Sequence, residues 1–298
     1  MNKPDFIIIG AMKCATTTLH EQLAQQPGVF MSEPKEPNFF SDDDQYAKGL
    51  DSYFSLFSSA SKGDLCGESS THYTKLPTYP KTLDRIKQHL PEVKLIYVMR
   101  HPIERLVSQY IHEWSQRTVS GNINEDILSF KPLTQYSQYS MQIHPYLESF
   151  DSANILPVFS ENLHLYPQRE LERVCQFIGY QGTPQWQEFT GHQHISTERM
   201  RDSVWRDAIV NQPILRLLRR TFVPKSIRIW VRSFWQMKKR PELTTESHQY
   251  LEKLFDQDLE TLGQWLGINL TCANFKAAVD IGPSGFTQWN TMQSIHPI

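Results

Sequence analysis

An unbroken apolar run, Phe6-Ile7-Ile8-Ile9, leads directly into Gly10-Ala11-Met12-Lys13-Cys14-Ala15-Thr16-Thr17-Thr18. Leu19 and Leu23 then fall at helical spacing until Pro27-Gly28. A short buried strand that turns at once into a helix belongs to a βα unit, because parallel strands need a crossover between them. The rhythm recurs. Lys94–Met99 reads as a second strand, almost continuous in apolar residues, followed by a helix near Pro102–Trp114. Asn154–Phe159 reads as a third strand, with a helix over Gln168–Ile178. The expectation is an α/β fold: a P-loop-like parallel sheet flanked by helices, within one domain over 1–298. A helical C-terminal region follows, where Leu251, Leu254, Phe255, Leu259, Leu262 and Leu266 make one apolar face ending at Gly267. The stretch 275–298 shows no periodicity and reads as an irregular tail.

Charge narrows the function classes. Thirty Lys+Arg against 32 Asp+Glu give a net charge of −2, so the chain as a whole is no nucleic-acid polycation. Residues 212–240 carry nine basic residues and no acid, which leaves −11 on the remainder. Trp230, Phe234 and Trp235 lie among those charges. Such a segment reads as a solvated helical face, as the border of a cleft for an acidic acceptor, or as a peripheral contact with an anionic membrane. Cys14, Cys66, Cys175 and Cys272 form no Cys-x-x-Cys and no metal spacing, and His192 and His194 lack acid or cysteine at ligand spacing. No metal is expected. The apolar run after Met1 is too short for a signal-peptide core, so the expected setting is soluble and cytoplasmic.

The turn at 10–18 carries the chemistry. Helix N-termini present unpaired N–H groups and partial positive charge, and so receive anions. Lys13 adds a full charge, and three threonine hydroxyls add donors. The layout resembles a Walker loop but departs from it. Lys13 comes three residues after Gly10, where the Walker lysine comes six after its first glycine. The second strand ends Met99-Arg100, with no Walker-type Asp. A loop that holds phosphate without magnesium has this form; a plain βα turn with a surface lysine is the simpler alternative.

Lys13-Cys14-Ala15-Thr16-Thr17 is similar to the Lys-x-Gly-Thr-Thr loop of sulfotransferases, which holds the 5′-phosphosulfate of 3′-phosphoadenosine 5′-phosphosulfate (PAPS). Ala15 stands where glycine is usual, and alanine suits the place if its φ is negative. Arg100-His101-Pro102-Ile103-Glu104-Arg105-Leu106-Val107-Ser108-Gln109-Tyr110 resembles the family's Arg-Asp-Pro-x-x-Arg-x-x-Ser-x-Tyr. The resemblance implies that Arg100 and Ser108 hold the 3′-phosphate, in keeping with the fit between a guanidinium fork and phosphate. Lys35-Glu36-Pro37-Asn38-Phe39-Phe40 resembles the Lys-Glu-Pro-His-Phe-Phe segment of the carbohydrate branch, on the acceptor side. Glu68-Ser69-Ser70-Thr71-His72-Tyr73 resembles that branch's Glu-Lys-[Ser/Thr]-Pro-x-Tyr, with Ser69 for Lys and Thr71 for Pro. Phe159–Leu163 is similar to the strand that ends in Glu-Asp-Leu. His194–Arg201 stands where a late basic loop closes over the nucleotide, with Arg199 and Arg201 as its cations.

The resemblance implies a PAPS-dependent sulfotransferase acting on a hydroxyl or amine, with a glycan as one acceptor class. Its nucleotide contacts would be Lys13, Cys14, Ala15, Thr16, Thr17, Thr18, Arg100, Ser108, Arg199 and Arg201. Lys13 would meet the bridging oxygen and Glu68 would take the acceptor proton, with Lys35, Glu36, Ser70 and His72 on the acceptor side. His72 is the rival base. A P-loop nucleotide kinase, and a non-catalytic nucleotide- or glycan-binding module on the same fold, are the competing classes.

Overall fold

The computed structural model describes residues 2–119, 121–188, 240–280 and 289. Contacts divide the chain into two compact units, one of residues 1–105, 134–188 and 250–298, the other of 106–133 and 189–249.

Among the described residues, the first unit is built on a five-stranded sheet in the order β2-β3-β1-β4-β5, every neighbouring pair parallel. β1 (Phe6–Gly10), β4 (Lys94–Met99) and β5 (Ile155–Phe159) match the expected strands, and nearly all their residues are buried. That is the signature of parallel strands covered on both faces. β2 (Val29–Met31) and β3 (Leu65–Ser69) were not expected. β1 is the central strand, with β3 on one side and β4 on the other. The connection leaving β1 runs towards β2 at one edge, whereas the one leaving its neighbour β4 runs towards β5 at the other, so the topology switches between these two strands. In open α/β sheets ligands bind at such a switch point, beyond the carboxyl ends of the strands. The carboxyl ends here are Gly10, Ser69 and Met99.

Helix α1 (Thr16–Ala24) follows β1 and stops two residues short of the expected end, before Pro27-Gly28. The helix Pro102–Ser115 opens on proline, whose missing N–H costs nothing at a helix start. The helix Pro167–Ile178 opens the same way and closes on Gly179 at φ +87°, a left-handed C-terminal cap. The helix Thr245–Leu266 buries the expected Leu251, Phe255, Leu259, Leu262 and Leu266. The stretch after it is not irregular from Phe275, because Phe275–Val279 is a short helix with both ends buried. At the sheet's edge, Trp289 Nε1 donates to the Ile155 carbonyl of β5 at 2.8 Å.

The second unit contains, among the described residues, the helix Ile123–Ser129, capped by the Asn122 side chain. Asn124 ties this helix to the chain entering Thr245: its Nδ2 donates to the Glu242 carbonyl, and its Oδ1 accepts from the Thr244 N–H. The expectations for 212–239, and for Arg199 and Arg201, lie outside the described residues.

Candidate active site

Three loops leave the carboxyl ends of β1, β3 and β4, and each carries one part of the site. After β1, the chain passes close beneath Thr74, whose Oγ1 donates to the Ile9 carbonyl at 2.9 Å. A Cβ at Gly10 would collide with that hydroxyl, which explains the glycine. Lys13 and Ala15 both adopt left-handed backbone, at φ +71° and +63°. The expected negative φ at Ala15 is therefore corrected: alanine occupies the conformation that glycine adopts freely, at a strain of about 1 kcal/mol. Ala15 is the N-cap of α1, and no side chain caps the helix. Its first turn, with Thr16 buried and Thr17 and Thr18 half-buried, is thus presented to an anion beside the half-buried Lys13. The Cys14 thiol is fully buried, 3.7 Å from Tyr139 Oη, and burial pushes its pKa up to about 12. Its side chain is packing, so only its backbone can serve a nucleotide.

After β4, Arg100 is pinned through its main chain. Its N–H donates to Tyr139 Oη at 3.2 Å, and that hydroxyl donates to the Arg100 carbonyl at 2.6 Å. The guanidinium is partly exposed and donates to Glu104 Oε2 at 2.8 Å. Glu161, in the first turn of the helix Ser160–Leu165 that follows β5, accepts from the His101 N–H at 2.9 Å. Ser108 lies two turns into the helix Pro102–Ser115 and is nearly buried. Arg105 has no exposed surface; its Nε donates to Ser137 Oγ at 2.7 Å and its Nη1 to the Met12 carbonyl at 3.4 Å. It supports the loop after β1 from beneath. Sequence reasoning gave it no role, although it stands inside the matched motif.

After β3, Glu68 is the hub of a buried hydroxyl cluster. Tyr53 and Tyr73 donate to Oε1 at 2.8 and 3.0 Å, and Ser70 donates to Oε2 at 3.0 Å. Glu68 and Ser70 have no exposure. Burial pushes the Glu68 carboxyl up to about 7, against the downward pull of those three hydroxyls. The cluster holds the segment Lys35–Phe40. The Asn38 N–H donates to Ser70 Oγ, the Phe40 N–H donates to Tyr73 Oη, and the Glu36 N–H donates to the Ser69 carbonyl. Phe39 stacks on Tyr53, 4.7 Å between centroids. Glu36 itself is one-third exposed, with Lys35 Nζ at 2.8 Å and Thr71 Oγ1 at 3.2 Å. Burial works to raise its pKa, but Lys35, Lys75 and Thr71 outweigh it and hold it below the usual range. Glu36 sits at φ +60°. His72 stacks on Tyr79, and burial together with Lys75 lowers it to about 4, so the ring is neutral at pH 7.

The family model of the sulfotransferase domain matches residues 3–265. The chain belongs to the sulfotransferase domain family. Over 192 residues this sulfotransferase-family chain is 33% identical to the mouse (Mus musculus) heparan sulfate glucosamine 3-O-sulfotransferase 3B1, covering 59% of this chain and 46% of that protein. Over 199 residues it is 27% identical to the bovine (Bos taurus) bifunctional heparan sulfate N-deacetylase/N-sulfotransferase 2, covering 59% of this chain and 22% of that protein. The chain thus spans less than half the length of these curated relatives. The crystal structure of a sulfotransferase from Alicyclobacillus acidocaldarius superposes with a TM-score of 0.56 at 23% identity, over 78% of this chain and 96% of that one, and shares the fold.

The structure brings Lys35, Glu36, Ser70 and Glu68 into one cluster, and sets Lys13 and Arg100 at the ends of adjacent strands. Glu68 and Ser70, expected on the acceptor side, are both enclosed and bonded to each other. Tyr53, Tyr73, Lys75, Arg105 and Lys276 join the site region with no role assigned from the sequence, and of these only Arg105 and Tyr73 fell within quoted motifs.

Proposed function

We propose that this chain transfers a sulfuryl group from PAPS to a hydroxyl or amine of a glycan acceptor. The observation that carries the reading is the convergence at three adjacent strand ends: an uncapped helix start beside Lys13, the Arg100 guanidinium, and an acceptor segment docked on β3. A nucleotide with phosphate at both its 5′ and 3′ positions fits two cationic sites on neighbouring strands, about 5 Å apart in the sheet. The end of β4 in Met99-Arg100, with no acid to hold magnesium, argues against the kinase reading. The glycan follows from relatives whose names specify heparan sulfate glucosamine. The test is a mass screen for gain of one sulfo group when PAPS and a panel of glycans, phenols, lipids and amines are incubated with the protein. Lys13→Ala is the control, with kcat down by about 10²–10³. Nucleotide binding with no sulfated product would favour the binding-module reading.

Bound PAPS supplies an activated sulfuryl group, and the chain's contribution is placement and charge, as in phosphoryl transfer. Lys13 meets the oxygen that gains charge. The proton acceptor is Glu36 rather than Glu68: it is half-buried where Glu68 is enclosed, it is ionised at neutral pH, and its strained backbone is of the kind that collects at working sites. Glu68 acts through the hydroxyl cluster by fixing the 36–40 turn. The four cysteines are unpaired and buried, which suits a reducing compartment, and cytoplasmic placement is part of the same proposal.

A further inference from the structure

Glu104 stands one helical turn beyond Arg100 and holds two cations. Its Oε2 accepts from Arg100 Nη2 at 2.8 Å, and its Oε1 accepts from Lys276 Nζ at 2.5 Å. Lys276 comes from the short helix Phe275–Val279, far along the chain, and that helix is anchored independently of the ion pair. Phe275 packs edge-on against His101 and Phe159, with centroids 5.6 and 5.8 Å apart. His101 Nε2 lies 3.0 Å from the Cys272 carbonyl, and Asn162 Nδ2 donates to the Val279 carbonyl at 3.0 Å. The fold therefore delivers a lysine to this carboxylate by design of its packing, with the Lys276 side chain 62% exposed.

The charge arithmetic gives that lysine a purpose. An Arg–Glu pair alone is neutral, and a phosphate approaching Arg100 would meet a carboxylate within one turn. Burial would raise the Glu104 pKa, but the bonds from Lys276 and Arg100 outweigh it and hold the group down to about 2. The carboxylate is therefore charged at every working pH, and only a second cation leaves the cluster net positive. We propose that Lys276 is a positioning residue of the nucleotide clamp: it neutralises Glu104 and so leaves the charge of the Arg100 guanidinium uncompensated for the 3′-phosphate. This rests on the assignment of Arg100 to that phosphate.

Titration calorimetry with 3′-phosphoadenosine 5′-phosphate and with adenosine 5′-phosphate tests it. Lys276→Met should weaken the first by about five- to tenfold at low salt, within the range of a partly screened charge, and the second by less than twofold. Lys276→Arg should restore affinity, and so should Glu104→Gln added to Lys276→Met, since removing the carboxylate removes the need for the lysine. An equal loss for both nucleotides, or no rescue by Glu104→Gln, overturns the proposal. Arg100→Met separates the underlying assignment. If it leaves the preference for the 3′-phosphate intact, Arg100 is misassigned and the proposal falls with it. If it abolishes the preference while Lys276→Met is silent, only the role of Lys276 is lost.

Discussion

Glu36 and Glu68 lie in one cluster, and their surroundings push their protons in opposite directions. Lys35 and Lys75 keep Glu36 ionised, whereas enclosure raises Glu68 to about 7. The pH profile of kcat therefore identifies the base. With Glu36 in that role, kcat stays level from about pH 7.5 down to about 5.5. An acid limb centred near 7 would return the role to Glu68. Glu36→Gln should cost about 10²–10⁴ in kcat, and Glu68→Gln less than about tenfold. His72→Asn should be milder still, because the ring is committed to Tyr79. Stability gives a second, separate measure of Glu68. Between its ordinary range and about 7, the folded chain keeps a proton that the unfolded chain has released, so this group's contribution to stability falls as pH rises through that window. Glu68→Gln removes the dependence. Its Tm relative to the parent should climb from pH 5 to pH 8, and a constant difference would show that Glu68 titrates normally.

At the scale of elements, the phosphate loop holds a testable strain. Ala15→Gly relieves about 1 kcal/mol of left-handed backbone strain and returns part of it through a more flexible unfolded chain. The expected Tm equals or exceeds the parent's, with nucleotide affinity retained. A fall of more than about 1 kcal/mol would mean that the methyl group packs against something that matters. The same loop shows why some elements were legible and others not. β1, β4 and β5 announce themselves because buried parallel strands read as apolar runs. β3 reads Leu-Cys-Gly-Glu-Ser, because its end faces a polar cluster: Gly67 clears the Phe6 ring and Glu68 gathers hydroxyls. The helix Tyr139–Ser149 carries Pro145 in its interior, which a sequence reading takes as a stop. The nucleotide motifs were legible because their residues are contiguous. The roles proposed for Glu36, Glu68 and Lys276 were not, because exposure and tertiary partners decide them.

At the scale of the whole molecule, charge is unevenly shared, with nine cations in 212–240 and −11 elsewhere. An acidic acceptor would be drawn to that segment, and salt would screen the attraction. For a polyanionic glycan, kcat/KM should fall several-fold between about 20 and 200 mM salt, and for a neutral acceptor it should hardly move. Replacing Arg216, Arg219 and Arg220 with Gln should flatten the first curve. Equal salt dependence for both acceptors would remove the segment from acceptor capture.

Trp289 has a consequence for how copies of this chain behave towards each other. Its indole N–H occupies a backbone carbonyl of β5, the outermost strand of the sheet among the described residues. Open edges recruit foreign strands, and natural sheets blunt them. A chain cut after Asp280 keeps every proposed catalytic and nucleotide-binding residue but loses this plug. It should bind 3′-phosphoadenosine 5′-phosphate as the full chain does, while scattering light on concentration or mild heating where the full chain stays clear. If the shortened chain is as free of aggregates as the parent, the edge of β5 is protected by other means.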